Sequence, residues 1–504
     1  MPNLCLNLVA TTQNYPDRPA LRCDDLEMTF SQFDEAAARV ATLLERDGIE
    51  PGDRVGLMLP NTPAFAVAFY GILRRGAVAV PINPLSKARE IEFFLTNTGA
   101  KALFAAPVFA EHTVTATAAA GTQCLLVDDI ELAKMTADLP AQARPLERAD
   151  TDAAVILHTS GTTGKPKGAV LTHGGLHRNQ EVTARTLIAL GPDDVVMGCL
   201  PLFHVFGLTC GLNASVAAGS MLTLLPRFEP RKAIDVVARD RVTIFQGVPT
   251  MYSAMLGVAA DVDADAIKSL RMCVSGGASL PGQVLADFEK AFGATILEGY
   301  GLSETSPVAC FNHPDGDRKP GSIGTPIEGV EMRVVDVDGA EVPQGDAGEI
   351  QIRGHNVMKG YWNLPNATAT AISADGWFAT GDVGRVDDDG FYYIVDRIKD
   401  LIIRGGLNVY PREIEEVLYE HPDVAEAAVV GLPHESLGEE IGAAVTLKGG
   451  AQTRPDQLRE FVKERVAAYK YPRHIWIVGE LPKGPTGKVL RREIAIPTSE
   501  SVQA

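Results

Sequence analysis

The stretch HTSGTTGKPKG, residues 158–168, directly follows a strand pattern at residues 153–158. Small hydroxyl residues and glycines allow a backbone to curl so that its N–H groups face an anion, and two lysines add positive charge. The stretch is not a Walker A loop, because Gly161 and Gly164 are too close together and Pro166 stands where that loop has a Ser or Thr for magnesium. An ordinary glycine-rich turn is the plainer interpretation, but the length and density of the run favour a polyphosphate cradle.

Strand and helix patterns alternate along the N-terminal part of the chain on both sides of this stretch. Residues 54–59 and 77–82 have the short apolar pattern of buried strands, and a helix pattern at 63–74 lies between them. Such alternation is typical of layered α/β structures with largely parallel sheets. The sequence therefore predicts an α/β fold for this part of the chain.

The pattern changes near residue 325, where short alternating strands are separated by Gly- and Asp-rich turns. This change favours a small β-rich subdomain at about 325–395. After Asp396 a new unit of about a hundred residues begins, which is a common domain size. Because a chain of 504 residues rarely has a single core, we predict an N-terminal domain at 1–397 and a C-terminal α+β domain at 398–504.

Composition and charge exclude several classes of protein. The chain is 46% hydrophobic and 22% charged, which is typical of globular proteins. Its formal net charge of −18 repels phosphate backbones, so we expect no nucleic-acid partner. We also expect no transmembrane segment, because no apolar run is long enough to span a bilayer. The seven cysteines include no CxxC pair, and the N-terminus does not resemble a signal peptide, so we expect a reduced, cytoplasmic protein.

The run TSGTTGKPKG resembles the signature of the adenylate-forming superfamily, which includes acyl-CoA synthetases, aryl-CoA ligases, peptide-synthetase adenylation domains and firefly luciferase. Further motifs of the family follow in the family's order along nearly the whole chain. They are SGGA at 275–278, YGLSET at 300–305, TGD at 380–382, DRIKD at 396–400, GG at 405–406 and GPTGK at 484–488. Seven ordered motifs are not credible as a chance match, so the chain is identified as a member of this superfamily, in its acyl-CoA synthetase branch.

This resemblance implies an ATP site built from several of the motifs. Tyr300 would stack on adenine, Asp382 would accept hydrogen bonds from the ribose hydroxyls, and Arg397 would reach the ribose and phosphates. The plainer interpretations are a core aromatic residue, a turn acid and a surface salt bridge. The residues expected to contact ATP are Thr159, Ser160, Gly161, Thr162, Thr163, Gly164, Lys165, Lys167, Gly276, Gly277, Ala278, Glu298, Gly299, Tyr300, Gly301, Ser303, Asp382, Arg397 and Lys488.

The resemblance also implies the catalytic groups and a magnesium site. Glu304 supplies the oxygen ligand that Mg²⁺ prefers, and Thr159 is the second expected ligand. Lys488 would bridge the substrate carboxylate and the α-phosphate, where a fixed cation stabilises the growing negative charge of the transition state. A lone lysine near a C-terminus is usually solvated, and only the GPTGK motif favours the catalytic role. We expect Lys488, His204 and Glu304 to be the catalytic residues.

In this superfamily the C-terminal domain rotates between the two half-reactions, and Lys399 matches the hinge position. After the rotation, Gly405 and Gly406 would close over the tunnel through which the thiol of coenzyme A enters, because a glycine pair allows the close passage of a narrow ligand. A simple turn is the competing interpretation of the glycine pair.

The expected acyl pocket is apolar. By the same resemblance it is lined by His204, Phe206, Val248, Gly277, Gly301, Leu302 and Val308. None of these expected pocket residues is an arginine that could pair with a second carboxylate. This favours a monocarboxylic acid that has an apolar tail or ring. Chain length does not follow from these residues, because a single pocket substitution can exchange aliphatic for aromatic substrates.

These observations predict an ATP-dependent acyl-CoA ligase that forms an acyl-adenylate, releases pyrophosphate and then makes the thioester and AMP. The expected partners are a carboxylic acid, most simply a fatty acid, with ATP, coenzyme A and Mg²⁺. The alternatives are an aryl-acid ligase of the coumarate or benzoate type, a fatty acyl-AMP ligase that loads a carrier protein, and, more remotely, a luciferase-like oxidoreductase. Peripheral membrane contact and the oligomeric state, including a homodimer, are left open.

Overall fold

The computed structural model describes residues 3–141, 144–159, 166–259, 267–397, 400–434, 436–484 and 487–497. Within these ranges the chain forms layered sheets with helices between and outside them, and the predicted α/β class is confirmed. Also within them, no helix is both long and apolar enough to cross a lipid bilayer.

The N-terminal part of the chain contains mixed sheets with parallel centres. One runs, in spatial order, through Thr325–Pro326, Val308–Phe311, Thr295–Gly301, Met272–Ser275, Ile244–Gly247, Val195–Gly198, Met221–Leu224, Pro19–Cys23 and Leu26–Thr29. Another runs through Gly360–Tyr361, Lys167–Thr172, Ala153–Thr159, Val78–Pro81, Arg54–Met58, Ala102–Ala105 and Gln123–Leu126. Antiparallel pairs occur only toward the edges of the described sheets, as the alternating sequence pattern predicted.

The helices bury their apolar faces against these sheets. Phe30–Arg46 is capped by Thr29, whose hydroxyl accepts a hydrogen bond from the N–H of Gln32. Pro63–Arg74 is buried along its whole length and contacts strands of both sheets, with Pro63 in the first turn, where no amide donor is needed. The remaining α-helices of the described ranges are Leu6–Asn14, Ala88–Thr98, Ala110–Ala120, Asp129–Thr136, His173–Val182, Ala214–Ala218, Pro230–Asp240, Pro249–Leu256, Gly282–Phe292, Pro365–Ala371, Pro411–Tyr419 and Pro455–Lys463.

The predicted β-rich subdomain is an antiparallel sheet. Its strands are Val330–Val335, Gly348–Gly354, Phe378–Val386 and Tyr392–Arg397, in that spatial order. The apolar residues on one face of this sheet, such as Ile350 and Ile352, join the main core. The sheet therefore packs firmly on the α/β layers and holds Asp382 and Arg397 in fixed positions.

The C-terminal α+β unit has its own core. Its strands are Leu407–Val409, Ile402–Arg404, Gly438–Leu447, Val424–His434 and His474–Ile477. Helices Pro411–Tyr419 and Pro455–Lys463 cover this sheet and bury Ile414, Leu418 and Leu458. The proposed boundary at 397/398 stays a prediction, because residues 398–399 lie outside the described residues.

Candidate active site

A cavity of about 1130 Å³ opens where the N-terminal sheets, the β-rich sheet and the C-terminal unit meet. The carboxyl ends of parallel strands supply one wall, which is the usual ligand position in open α/β sheets. All described residues that the sequence predicted for ATP line this cavity: Thr159, Lys167, Gly276, Gly277, Ala278, Glu298, Gly299, Tyr300, Gly301, Ser303, Asp382, Arg397 and Lys488. Ser160, Gly161, Thr162, Thr163, Gly164 and Lys165 lie outside the described residues.

Asp382 is the centre of a hydrogen-bonded cluster on the wall formed by the β-rich sheet. Its carboxylate accepts a hydrogen bond from the Tyr300 hydroxyl at 2.6 Å and pairs with Arg397 Nε at 3.1 Å. The side chain of Asp382 is almost fully buried, and the backbone N–H of Asp382 donates a hydrogen bond to the hydroxyl of Thr380. A buried carboxylate that is oriented in this way suits a diol, because it can accept hydrogen bonds from two adjacent hydroxyls.

Thr159 and Glu304 meet at another wall of the cavity. The Thr159 hydroxyl donates to Glu304 Oε1 at 3.1 Å, and the Tyr361 hydroxyl donates to the same oxygen at 3.1 Å. The amine of Lys167 lies 5.0 Å from the centre of the Tyr361 ring. One carboxylate and one hydroxyl fit Mg²⁺, which prefers oxygen ligands, keeps several waters and is often completed by substrate phosphates.

Glu298 has an unusual environment for a carboxyl group. It is buried in the middle of the strand Thr295–Gly301 and accepts a hydrogen bond from the N–H of Gly321 at 2.9 Å. Burial raises its pKa to about 7, because the charged form loses hydration. Part of the Glu298 population is therefore neutral near pH 7, which lowers the negative charge on this wall.

Lys488 reaches into the cavity from the C-terminal unit. The Thr250 hydroxyl donates to the carbonyl of the preceding residue, Gly487, at 3.3 Å, which fixes this segment against the N-terminal part. Burial, and then the nearby positive charge of Arg397, lower the pKa of Lys488 to about 8, against the opposing effect of Asp382. Lys488 is close enough to His204 to lower the pKa of that histidine as well, so its charge faces the nucleotide wall and the acyl pocket together.

The pH dependence of adenylate formation should follow Lys488. Because the pKa is lowered to about 8 and the cation is the active form, the contribution of Lys488 to kcat/KM should be constant below pH 7. As Lys488 loses its proton, kcat/KM should decline above about pH 8, approaching tenfold per pH unit. The measurement is pyrophosphate release at subsaturating ATP between pH 6.5 and 9.5.

The matched control for this profile is Lys488→Arg, which stays protonated throughout the range. Its overall rate should be lower, but the decline above pH 8 should disappear. The same decline in both proteins would assign the titration to a different group.

The predicted acyl pocket lies beside Lys488. His204, Phe206, Val248, Gly277, Gly301, Leu302 and Val308 all line the cavity. Burial lowers the pKa of His204 to about 4, so its ring is neutral at pH 7. Its Nδ1 accepts a hydrogen bond from the N–H of Phe206 at 3.3 Å, which leaves Nε2 as the N–H donor.

Gly301 is required by close packing at the pocket wall. A Cβ at this position would stand 1.9 Å from the carbonyl oxygen of Pro307, far inside van der Waals contact. A glycine therefore lets the chain that carries Tyr300 pass directly over the segment that carries Val308.

The glycine pair predicted for coenzyme A does not line the cavity. Gly405 and Gly406 join the strands Ile402–Arg404 and Leu407–Val409, with φ of +59° and +81°. This is a tight two-residue hairpin turn that needs glycine or a similar residue, and it is exposed and does not line the cavity. Lys399 lies outside the described residues, so its role as a hinge stays a prediction.

Several residues at the site were missed by the sequence analysis. Tyr361 contacts Glu304, and Thr250 holds Gly487. Arg491 lines the cavity and pairs with Glu415 at 2.7 Å. No local motif marks these residues, because each gains its role only when distant segments fold together.

Comparisons with known proteins identify the family of this chain. The AMP-binding enzyme family matches residues 8–362, and the AMP-binding enzyme C-terminal domain matches residues 413–488. A long-chain-fatty-acid–CoA ligase of Bacillus subtilis (strain 168) is 35% identical, over 98% of this chain and 94% of the relative. A feruloyl-CoA synthase of Amycolatopsis is 36% identical, over 95% of this chain and 96% of the relative.

Solved structures give the same result. The crystal structure of a benzoate CoA ligase from Burkholderia xenovorans LB400 superposes with a TM-score of 0.91 at 30% identity, over 98% of this chain and 99% of that chain. The chain therefore belongs to the AMP-binding enzyme family. It is an AMP-forming acid–thiol ligase that uses ATP and coenzyme A as co-substrates.

Proposed function

We propose that this ligase activates an apolar monocarboxylic acid, with fatty acids as its principal substrates. The observation that supports this most directly is the position of Lys488 between the Asp382 cluster and the apolar pocket around His204. The similarity to a long-chain-fatty-acid–CoA ligase over almost the whole chain also favours this substrate class.

The first half-reaction joins the acid to the nucleotide. A carboxylate oxygen of the acid bonds to the α-phosphorus of ATP, and the bond from that phosphorus to the bridging oxygen of pyrophosphate breaks. Asp382 and Tyr300 hold the nucleoside, and Lys488 stabilises the negative charge that grows on the α-phosphate. The neutral Nε2–H of His204 orients the incoming carboxylate without adding a charge to the pocket.

Mg²⁺ belongs at Thr159 and Glu304 in this proposal, because their oxygens form a suitable ligand pair beside the cavity. When bound, the ion would neutralise phosphate charge. Binding of the ion would replace the Thr159–Glu304 hydrogen bond by contacts of these two side chains to the ion.

The second half-reaction replaces AMP by the thiol. The sulfur of coenzyme A bonds to the acyl carbonyl carbon, and the bond from that carbon to the oxygen of AMP breaks. We propose that the C-terminal unit, residues 398–504, rotates about Lys399 before this step and brings Gly405 and Gly406 toward the thiol's path. The hairpin is exposed, and the buried apolar cluster of the C-terminal unit contains no residue of the N-terminal part, so the rotation would open no shared core.

An aryl acid is the second candidate substrate. A relative named feruloyl-CoA synthase is 36% identical to this chain, against 35% for the fatty-acid ligase, and a flat ring would also fit an apolar wall that contains Phe206 and Val308. We place the reaction in the cytoplasm, where ATP and coenzyme A are available and free cysteines persist. All seven cysteines of the chain lie within the described residues, and there none forms a disulfide.

The test is a panel of fatty acids of graded length, cinnamates and benzoates, each incubated with ATP, Mg²⁺ and coenzyme A. Mass spectrometry follows thioester, adenylate and AMP together, with coenzyme A omitted as the control. Thioester from fatty acids is expected. Thioester from aromatic acids alone would move the assignment to an aryl-acid ligase, adenylate without thioester would indicate a carrier protein as acceptor, and no product would refute the proposal.

A further inference from the structure

Residues 358–362 cross the part of the cavity wall that carries Glu304. The N–H of Met358 donates to the backbone carbonyl of Glu304 at 2.8 Å, which fixes the main chain of that residue. Two residues further on, the short strand Gly360–Tyr361 pairs with the strand Lys167–Thr172. The segment therefore joins Glu304 to the strand that directly follows the glycine-rich stretch.

The backbone of Tyr361 is fixed from its other side by Thr368, on the helix that follows. The N–H of Tyr361 donates to the Thr368 hydroxyl at 2.9 Å, and that hydroxyl donates to the carbonyl of Leu364 at 3.0 Å. Gly360 packs closely on the same residue, because a Cβ at this position would stand 2.7 Å from the Thr368 side chain. Thr368 therefore fixes the place from which the Tyr361 side chain reaches Glu304.

The Tyr361 side chain contacts both a carboxylate and an amine of the cavity wall. Its hydroxyl donates to Glu304 Oε1 at 3.1 Å, and the centre of its ring lies 5.0 Å from the amine of Lys167. The Thr159 hydroxyl donates to the same oxygen, Oε1, also at 3.1 Å. Within the described residues no hydrogen bond reaches Glu304 Oε2. A carboxylate that is held by one oxygen keeps the other available to a cation.

Binding of a metal ion would affect these two hydrogen bonds differently. Thr159 is an expected ligand of the ion, so its hydroxyl would exchange Glu304 for the metal. Tyr361 is not an expected ligand, and a phenol keeps its proton at neutral pH, so its hydroxyl would continue to donate to Glu304. Carboxylates that bind metals are held by hydrogen-bonding partners of this kind, and loss of such a partner lowers metal affinity about 10- to 100-fold.

We propose that Tyr361 is a positioning residue for the magnesium site: its hydroxyl holds the Glu304 carboxylate by one oxygen, in the orientation in which that carboxylate binds the ion. The hydroxyl acts through Glu304 and not on the reacting atoms. This inference rests on the proposed magnesium site and adds to it a residue that strengthens metal binding.

The variant that tests the hydroxyl is Tyr361→Phe, which keeps the ring beside Lys167. Calorimetry measures the dissociation constant of α,β-methylene-ATP, which cannot form an adenylate because a carbon replaces the bridging oxygen at the α-phosphorus. The constant is measured with saturating Mg²⁺ and again with EDTA, and the ratio of the two values gives the strengthening by the ion. This ratio should fall about tenfold in Tyr361→Phe, while the constant in EDTA should stay unchanged.

The matched control is Tyr393→Phe. The Tyr393 hydroxyl also donates to a carboxylate at 3.1 Å, that of Asp387, but neither residue lines the cavity. Each variant loses one hydrogen bond of the same kind, so the unfolding temperatures of both in EDTA should fall by similar small amounts. Only Tyr361→Phe should lose the effect of Mg²⁺ on nucleotide binding.

The outcomes separate this inference from the proposed function. A ratio that is unchanged in Tyr361→Phe, or that rises because the hydroxyl competes with the ion for Glu304, would overturn the positioning role and leave the magnesium site intact. An equal fall in Tyr361→Phe and Tyr393→Phe would also overturn it, because it would indicate a general loosening of the protein. If Mg²⁺ does not strengthen binding of the analogue to the unaltered enzyme, the proposed magnesium site and this inference fail together.

Discussion

Lys488→Ala is expected to lower the rate of adenylate formation by about 10³-fold, the upper end of the effect of removing one charge-stabilising group from an active site. Lys488 faces the Asp382 cluster and the acyl pocket together, so its cation lies where the carboxylate and the α-phosphate would meet. The interaction strengthens as charge grows in the transition state, so kcat should fall together with kcat/KM. The measurement is acid-dependent pyrophosphate release in single-turnover conditions.

The second half-reaction provides the internal control for this variant. Thioester formation from a supplied acyl-adenylate and coenzyme A should remain within a few-fold of the unaltered rate, since the proposed rotation removes Lys488 from the site. Lys483→Ala is the matched variant, because Lys483 lies on the same segment but pairs with Glu426 at 2.7 Å and does not line the cavity. Equal loss in both half-reactions would rule out a division of labour between two domain positions.

The sequence predicted most of the fold because apolar periodicity marks elements that bury one face or the whole element. The helix predicted at 63–74 is observed as Pro63–Arg74, and the strand predicted at 54–59 as Arg54–Met58. The stretch at 109–150, rich in Ala and Thr, carried little signal, yet it contains helices Ala110–Ala120 and Asp129–Thr136. Small residues pack on a sheet without creating a strong apolar stripe, so their helices are difficult to recognise.

Residues of the candidate site that belong to short sequence motifs were named from the sequence. Residues that reach the site only through contacts between distant segments were missed. Tyr300, Asp382 and Lys488 were found through short family motifs, and the structure brings them to one cavity. The π-helical turn Thr183–Leu187, whose first residue lines the cavity, has no sequence signature, because it differs from an α-helix by one hydrogen-bond register. Tertiary contacts, such as that between Asn179 and Val308, are likewise invisible in local patterns.

Asp382→Ala should lower kcat/KM for ATP by about 10²-fold, mainly by raising KM, because two charge-assisted hydrogen bonds to the ribose would be lost. The sharper measurement is discrimination between ATP and 2′-deoxy-ATP. If Asp382 accepts a hydrogen bond from the 2′-hydroxyl, the unaltered enzyme should prefer ATP at least tenfold, and the variant should lose nearly all of that preference. Asp387→Ala is the control, because Asp387 follows in the next turn, pairs with Lys319 at 2.6 Å and does not line the cavity.

The alternative explanation is that Asp382 acts only by holding Tyr300 and Arg397 in place, since its carboxylate also bonds to both. In that case the variant would bind every nucleotide less tightly, and the ratio between ATP and 2′-deoxy-ATP would stay at the value of the unaltered enzyme. Tyr300→Phe separates these effects further, because it removes one partner of the carboxylate and keeps the ring. A large loss of the 2′-hydroxyl preference in Asp382→Ala but not in Tyr300→Phe would assign ribose recognition to the carboxylate itself.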